Sequence, residues 1–157
     1  MSQDIHIRSA IAADASLLHE LIVELAIFEK APNAVINTPQ AIARHGWGAN
    51  PLFVAWIAEL AGKPVGMALC YFRYSTWKGP VLYLEDLIVK EAYRGRGAGK
   101  MLFETCLEYA RNNEFSRMSW QVLDWNQEAI DFYKNYGADF DPEWVNCSID
   151  MIHEPLE

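Results

Sequence analysis

The stretch from Tyr83 to Lys100, Tyr-Leu-Glu-Asp-Leu-Ile-Val-Lys-Glu-Ala-Tyr-Arg-Gly-Arg-Gly-Ala-Gly-Lys, puts two kinds of chemistry side by side. Gly95, Gly97 and Gly99 remove side chains where backbone must approach a ligand, and they permit φ > 0. Where such a turn opens a helix, its N–H groups lie at the positive end of the helix dipole and form an anion site without a metal. Arg94 and Arg96 add planar, fork-shaped donors that match phosphate oxygens. Upstream, Glu85 and Asp86 interrupt an apolar run, and acids are almost never placed in a central strand unless something pairs with them. Adjacent strand residues face opposite sides of a sheet, so one acid can point into a pocket for a cationic group while the other makes a structural contact. Two acids paired with buried Arg or Lys would produce the same letters.

Counting separates the phosphate ligands. A P-loop needs glycine, four residues, then Gly-Lys-Ser/Thr; counting back from Gly99-Lys100 finds Arg94 in place of the first glycine, and Met101 follows the lysine. A dinucleotide fingerprint would need glycine at position 100, where Lys100 stands. Both are excluded.

The turn must be carried by a strand before it and a helix after it, and the chain supplies both. Ile5 and Ile7 alternate with polar residues as a short strand. Asp14 is expected to cap a helix with Leu18, Leu21, Ile22, Leu25 and Phe28 on one face. Thr38-Pro39 pairs an N-cap with proline at the first helical position, opening a second helix that ends near Gly46-Trp47-Gly48. Residues 52–60 and 65–74 read as strands joined by a turn at 61–64, and Lys78-Gly79-Pro80 precedes a strand at Val81–Val89. The turn at 94–99 leads into a helix burying Leu102, Cys106, Tyr109 and Ala110. A strand at Arg117–Leu123, a helix near Gln127–Tyr136 and a last strand at Val145–Ile152 complete the chain. Hairpin-joined strands followed by a β-α-β crossover predict an α+β fold, a mixed sheet flanked by helices.

At 157 residues and 17.9 kDa the chain is expected to form a single domain spanning 1–157. Its 21 acids against 13 bases give a net charge of -8, which disfavours a nucleic-acid partner because phosphate-tracking proteins carry a basic face. Cys70, Cys106 and Cys147 lack metal-like spacing and read as reduced thiols; no metal is expected. No basic N-terminal region precedes an apolar run and no long apolar stretch occurs, so a cytoplasmic location without membrane contact is expected. His6, His19, His45 and His153 fall in no catalytic constellation.

Arg94-Gly95-Arg96-Gly97-Ala98-Gly99 fits the R/Q-x-x-G-x-G/A pattern that holds the pyrophosphate of coenzyme A in the Gcn5-related N-acetyltransferase (GNAT) superfamily, and the order of elements around it is the superfamily's. The chain resembles one branch in particular, the diamine (spermidine/spermine) and thialysine acetyltransferases. The resemblance is carried by Glu24-Leu25-Ala26 with Phe28-Glu29, Tyr71-Phe72-x-Tyr74-x-x-Trp77-x-Gly79, Leu82-Tyr83-Leu84-Glu85-Asp86, the turn itself, and Trp125-Asn126 with Phe132-Tyr133 and Gly137. It covers nearly the whole chain.

The resemblance implies a GNAT fold, a central, mostly antiparallel sheet with about four helices, and acetyl-CoA as co-substrate. Leu87, Ile88 and Val89 would pair with the pantetheine arm as another strand would, a backbone N–H near Leu87 polarising the thioester oxygen. Arg94, Gly95, Arg96, Gly97, Ala98, Gly99 and Lys100 would hold the phosphates. Asn126 resembles a cofactor contact and is also an ordinary N-cap. Tyr133 is similar in position to the family's general acid; helix periodicity alone accounts for it equally as a core tyrosine. Glu85 would attract the substrate ammonium and take its proton, with Asp86 secondary. Phe28, Glu29, Ser119, Trp120 and Gln121 are further substrate-side candidates, although packing also accounts for Phe28.

The chain departs from the polyamine enzymes at Asn126-Gln127-Glu128-Ala129 and at Tyr136, where an arginine would reach the cofactor. The expected activity is therefore acetyl transfer to a primary amine of a small cationic substrate, a diamine, polyamine or thialysine-like amino acid. A protein or peptide N-acetyltransferase and a non-catalytic acyl-CoA-binding domain are the alternatives. Family resemblance also implies a homodimer, with the late strands and Trp144 at its interface.

Overall fold

In the computed structural model of the chain, residues 4–151 are described. Five strands and four helices follow the predicted order: β1 (Ile5–Ser9), α1 (Ala15–Phe28), α2 (Pro39–Trp47), β2 (Val54–Leu60), β3 (Lys63–Ser75), β4 (Gly79–Val89), α3 (Ala98–Asn112), β5 (Arg117–Ser119) and α4 (Gln127–Lys134). The strands lie in sequence order across one sheet, antiparallel from β1 to β4 and parallel between β4 and β5. The α+β assignment holds, with α3 as the β-α-β crossover.

Each sheet face buries its own layer. On one side Leu18 and Leu21 of α1 and Ile42 of α2 pack on Ile57, Met67, Leu69 and Ile88. On the other, Leu102, Phe103 and Cys106 of α3 and Tyr133 of α4 pack on Ala58, Ala68, Cys70, Leu82 and Leu84. A sheet covered on both faces reads as continuous apolar runs, which is why β2 to β4 show little alternation. Cys70 and Cys106 are buried free thiols 3.6 Å apart, and Cys147 is exposed.

Thr38 caps α2 as expected, its hydroxyl accepting from the Ala41 N–H at 3.1 Å, with Pro39 in the first turn. Asp14 stands at the head of α1 but caps nothing; its carboxylate turns to the Arg8 guanidinium at 2.8 Å and accepts from the Ile11 N–H. The charged partner outcompetes the helix amides.

The predicted last strand is absent from residues 145–151, and Ile152 and His153 lie outside the described residues. Val145, Ile149 and Met151 have the strand alternation, but a strand exists only through its ladder, and the neighbouring β5 ends at Ser119. Among the described residues no helix is long and apolar enough to cross a membrane.

Candidate active site

β4 and β5 pair only along Val81–Tyr83 and Arg117–Ser119, after which they part. The predicted strand to Leu123 therefore stops short, and residues 120–123 run free of the sheet. The gap opens into a cavity of 560 Å3, walled on one side by Leu84 to Val89 and on the other by Trp120 to Leu123. Leu87, Ile88 and Val89 thus line an open strand edge on the side where a ligand would lie.

β4 contains an irregularity where it enters the cavity. Leu69 of β3 stands opposite Asp86 while the next residue, Cys70, stands opposite Leu84, so Glu85 has no partner in the ladder. Such a bulge re-aims side chains and breaks the two-residue period. Leu84 accordingly packs in the α3 layer and Ile88, four residues on, in the α1 layer. Both Glu85 and Asp86 line the same cavity, against the expectation that they face opposite sides. Among the described residues neither forms a salt bridge.

Glu29, at the C-terminal end of α1, reaches the same cavity and is likewise without a cation among the described residues. Burial raises its pKa. Asp86 is pushed up to about 7, first by burial and then by the negative charges of Glu85 and Glu29. Three carboxylates with no protein counter-ion leave the cavity asking for a cation.

The turn forms the other end. Gly95 and Gly97 have φ of 76° and 91°, and a Cβ on either would meet no protein atom. No neighbour enforces glycine there; the left-handed backbone does, and the space beside it is left for a ligand. Gly97 caps α3 with no side-chain acceptor, so the first amides of the helix are presented outward beside Ala98 and Gly99. Lys100 lines the cavity and leans on Glu104. Arg94 donates from Nε to the Val89 carbonyl at 3.0 Å. Arg96, expected with the others, stands over the Tyr93 ring and off the cavity wall.

Tyr133 comes from α4, whose N-cap Asn126 accepts from the Ala129 N–H with its side chain while also lining the cavity. Tyr133 is 8% exposed, its ring among those of Phe103, Trp120 and Phe132. Burial, then the charge of Glu29, pushes its pKa up to about 12. The phenol therefore stays a proton donor through the working pH range. Passing its proton to a thiolate of conjugate pKa about 8.5 is uphill by roughly 5 kcal/mol. That is well below the barrier of about 16 kcal/mol for a typical turnover near 10 s−1, so the raised value does not disqualify it.

Trp120 and Gln121 line the cavity; Ser119 stays in the ladder opposite Tyr83. Phe28, placed on the buried stripe of α1 by periodicity, lies at the cavity rim and is 39% exposed. Tyr136, whose place would suit an arginine, instead hydrogen-bonds Glu104 at 2.9 Å. Leu84, Tyr93, Leu123, Glu128 and Phe132 also line the wall, and the sequence did not single them out as site residues. Tyr93, directly before the turn, carried a positional signal; the apolar ones look like any core residue. Among the described residues no cluster of His, Cys, Asp or Glu could hold a metal ion.

Residues 22–138 match the profile of the acetyltransferase (GNAT) family. A thialysine N-epsilon-acetyltransferase of Bos taurus is 39% identical over 140 residues, 84% of this chain and 82% of that protein. A spermidine/spermine N(1)-acetyltransferase-like protein 1 of Homo sapiens is 40% identical over 139 residues, 84% of this chain but 20% of that longer protein. Among solved structures, an aminoglycoside N-acetyltransferase in complex with CoA superposes with a TM-score of 0.73 at 19% identity, covering 95% of this chain and 96% of that one.

Proposed function

Since the chain belongs to the GNAT family of acetyltransferases, we propose that it moves the acetyl group of acetyl-CoA to a primary amine of a small cationic substrate, a diamine, polyamine or thialysine-like amino acid, by direct attack. One observation carries this reading: a single cavity joins an outward-facing glycine turn at one end to three carboxylates without a protein counter-ion at the other. Phosphate suits the first and ammonium the second.

Acetyl-CoA supplies an activated thioester. The amides of Gly95 to Lys100 and the Arg94 guanidinium hold its pyrophosphate, Asn126 helps seat it, and the free edge of Leu87 to Val89 pairs with the pantetheine arm. A β4 amide near Leu87 polarises the thioester oxygen. Glu29, Glu85 and Asp86 draw in the ammonium, with Phe28, Trp120 and Gln121 around it. The attacking nitrogen must be neutral, so an acceptor has to take its proton; Glu85 does this at the bulge, assisted by Asp86, whose pKa near 7 suits proton exchange at neutral pH. Tyr133 donates to the departing sulfur.

Thiol release from acetyl-CoA across a panel of diamines, polyamines, lysine analogues and aminoglycosides tests the reading. Tyr133→Phe is expected to lower kcat by about 100-fold or more with acetyl-CoA affinity unchanged. Undiminished turnover would remove Tyr133 as the acid. Thiol release with peptides alone would make the substrate a protein, and acetyl-CoA binding with no thiol release would make the domain non-catalytic.

We also propose that the chain is a homodimer acting in the cytoplasm. The unladdered segment with Trp144, Val145, Ile149 and Met151 exposed supports a second copy as its cover, and three free thiols support a reducing compartment.

A further inference from the structure

Helix α1 ends in a left-handed turn, with the Ala31 N–H donating to the Ala26 carbonyl at 2.8 Å and the Lys30 N–H to the Ile27 carbonyl at 3.1 Å. The residue at the left-handed position is Lys30, φ 64°, where glycine would sit without strain. Its side chain is directed: Nζ lies 4.4 Å from the centre of the Trp125 ring. The Trp125 ring centre is 5.9 Å from that of Phe28, and the Arg94 guanidinium stands 4.9 Å from the centre of the Phe28 ring. Phe28 and Trp125 thus make an exposed aromatic rim beside Glu29, flanked by two cations. Among the described residues neither Lys30 nor Arg94 forms a salt bridge with a carboxylate.

Lys30 and Trp125 thus lie just outside the cavity, next to Glu29 and Phe28, which line its acidic end. The second ammonium of a diamine or polyamine would stand uncompensated against Lys30, whereas in a lysine-like amino acid the carboxylate offsets the α-ammonium beside it and meets a cation that is in no salt bridge among the described residues. Resting on the acetyltransferase reading above, we propose that Lys30 is a specificity-determining residue that holds the carboxylate of an ω-amino acid whose terminal ammonium enters the acid-lined cavity. In the function proposed above Arg94 goes to phosphate, which leaves Lys30 as the carboxylate's partner.

The test compares kcat/KM for matched pairs differing only in the carboxylate: lysine against 1,5-diaminopentane, and thialysine against bis(2-aminoethyl) sulfide. The wild-type protein is expected to favour each amino acid by roughly five- to tenfold, the scale of a partly exposed ion pair combined with like-charge repulsion of the diamine. Lys30→Glu should reverse the preference and Lys30→Arg keep it. Lys30→Gly should abolish it while leaving the melting temperature unchanged or higher, because glycine suits the backbone there; a merely structural lysine would not give that split. Equal kcat/KM for both members of each pair, unaffected by Lys30→Glu, overturns the assignment and leaves acetyl transfer standing. Absence of thiol release with every amine overturns acetyl transfer itself and the assignment with it.

Discussion

Asp14 and Asp86 are both drawn largely out of water, and their partners set them apart. Asp14 has Arg8, whose hydrogen bond holds its carboxyl below the usual range. Its contribution to stability is present at neutral pH and lost as pH falls through that lowered value. Asp86 faces two other acids and forms no salt bridge among the described residues, and its folded pKa of about 7 stands above the ordinary 3.8. The folded state then binds the proton more tightly than the unfolded chain, so stability is full below about pH 4 and is lost as pH rises through 7, by at most about 4 kcal/mol. Asp86→Asn is accordingly expected to be more stable than the parent at pH 8 and similar to it at pH 4.5, by urea unfolding at both. The same change should remove the rise in kcat/KM through pH 7 expected of the parent. A substitution that stabilises and disables together marks a group kept for chemistry.

At the scale of elements, the turn before α3 is set by backbone conformation. Gly97→Ala places a Cβ in open space but at φ 91°, a strain of about 1 kcal/mol that is relieved by shifting the amides. Calorimetry should show acetyl-CoA binding weakened about tenfold while the circular dichroism spectrum is kept. This element was legible from residue order alone, because three glycines at alternate positions beside two arginines signal a backbone brought close to an anion, and Thr38-Pro39 announced α2 in the same way. The bulge at Glu85 was not legible. β4 is covered on both faces, so consecutive apolar residues stand on either side of Glu85-Asp86 and carry no parity to reveal a slip. Lys30 carried no signal of its own because a lysine near a helix C-terminus is the ordinary response to the dipole; only its positive φ shows that it takes glycine's place. The acid role proposed for Tyr133 rests on family likeness, since its helix stripe alone fits a core tyrosine as well. The segment at 145–151 misled in the opposite sense: its alternation is that of a strand, but a pattern does not supply a neighbour.

For the whole molecule, that segment predicts the state of association. Trp144 is 75% exposed, with Val145, Ile149 and Met151 exposed beyond it, a row of apolar side chains suited to an interaction surface. Sedimentation is expected to give twice the chain mass, and Val145→Lys with Ile149→Lys to halve it. The sheet as a whole also has a consequence at the bulge. Removing one residue from a strand normally throws everything downstream onto the wrong face. Glu85, however, is surplus to the ladder: Leu84 and Asp86 already oppose neighbouring residues of β3, so joining them directly would keep the beat of the strand on both sides. Deleting Glu85 outright should therefore leave a folded, cooperatively melting protein with no thiol release, whereas deleting Leu84 should leave no folded protein. At that one position the gene can lose a codon and the architecture will not register it; only the reaction will.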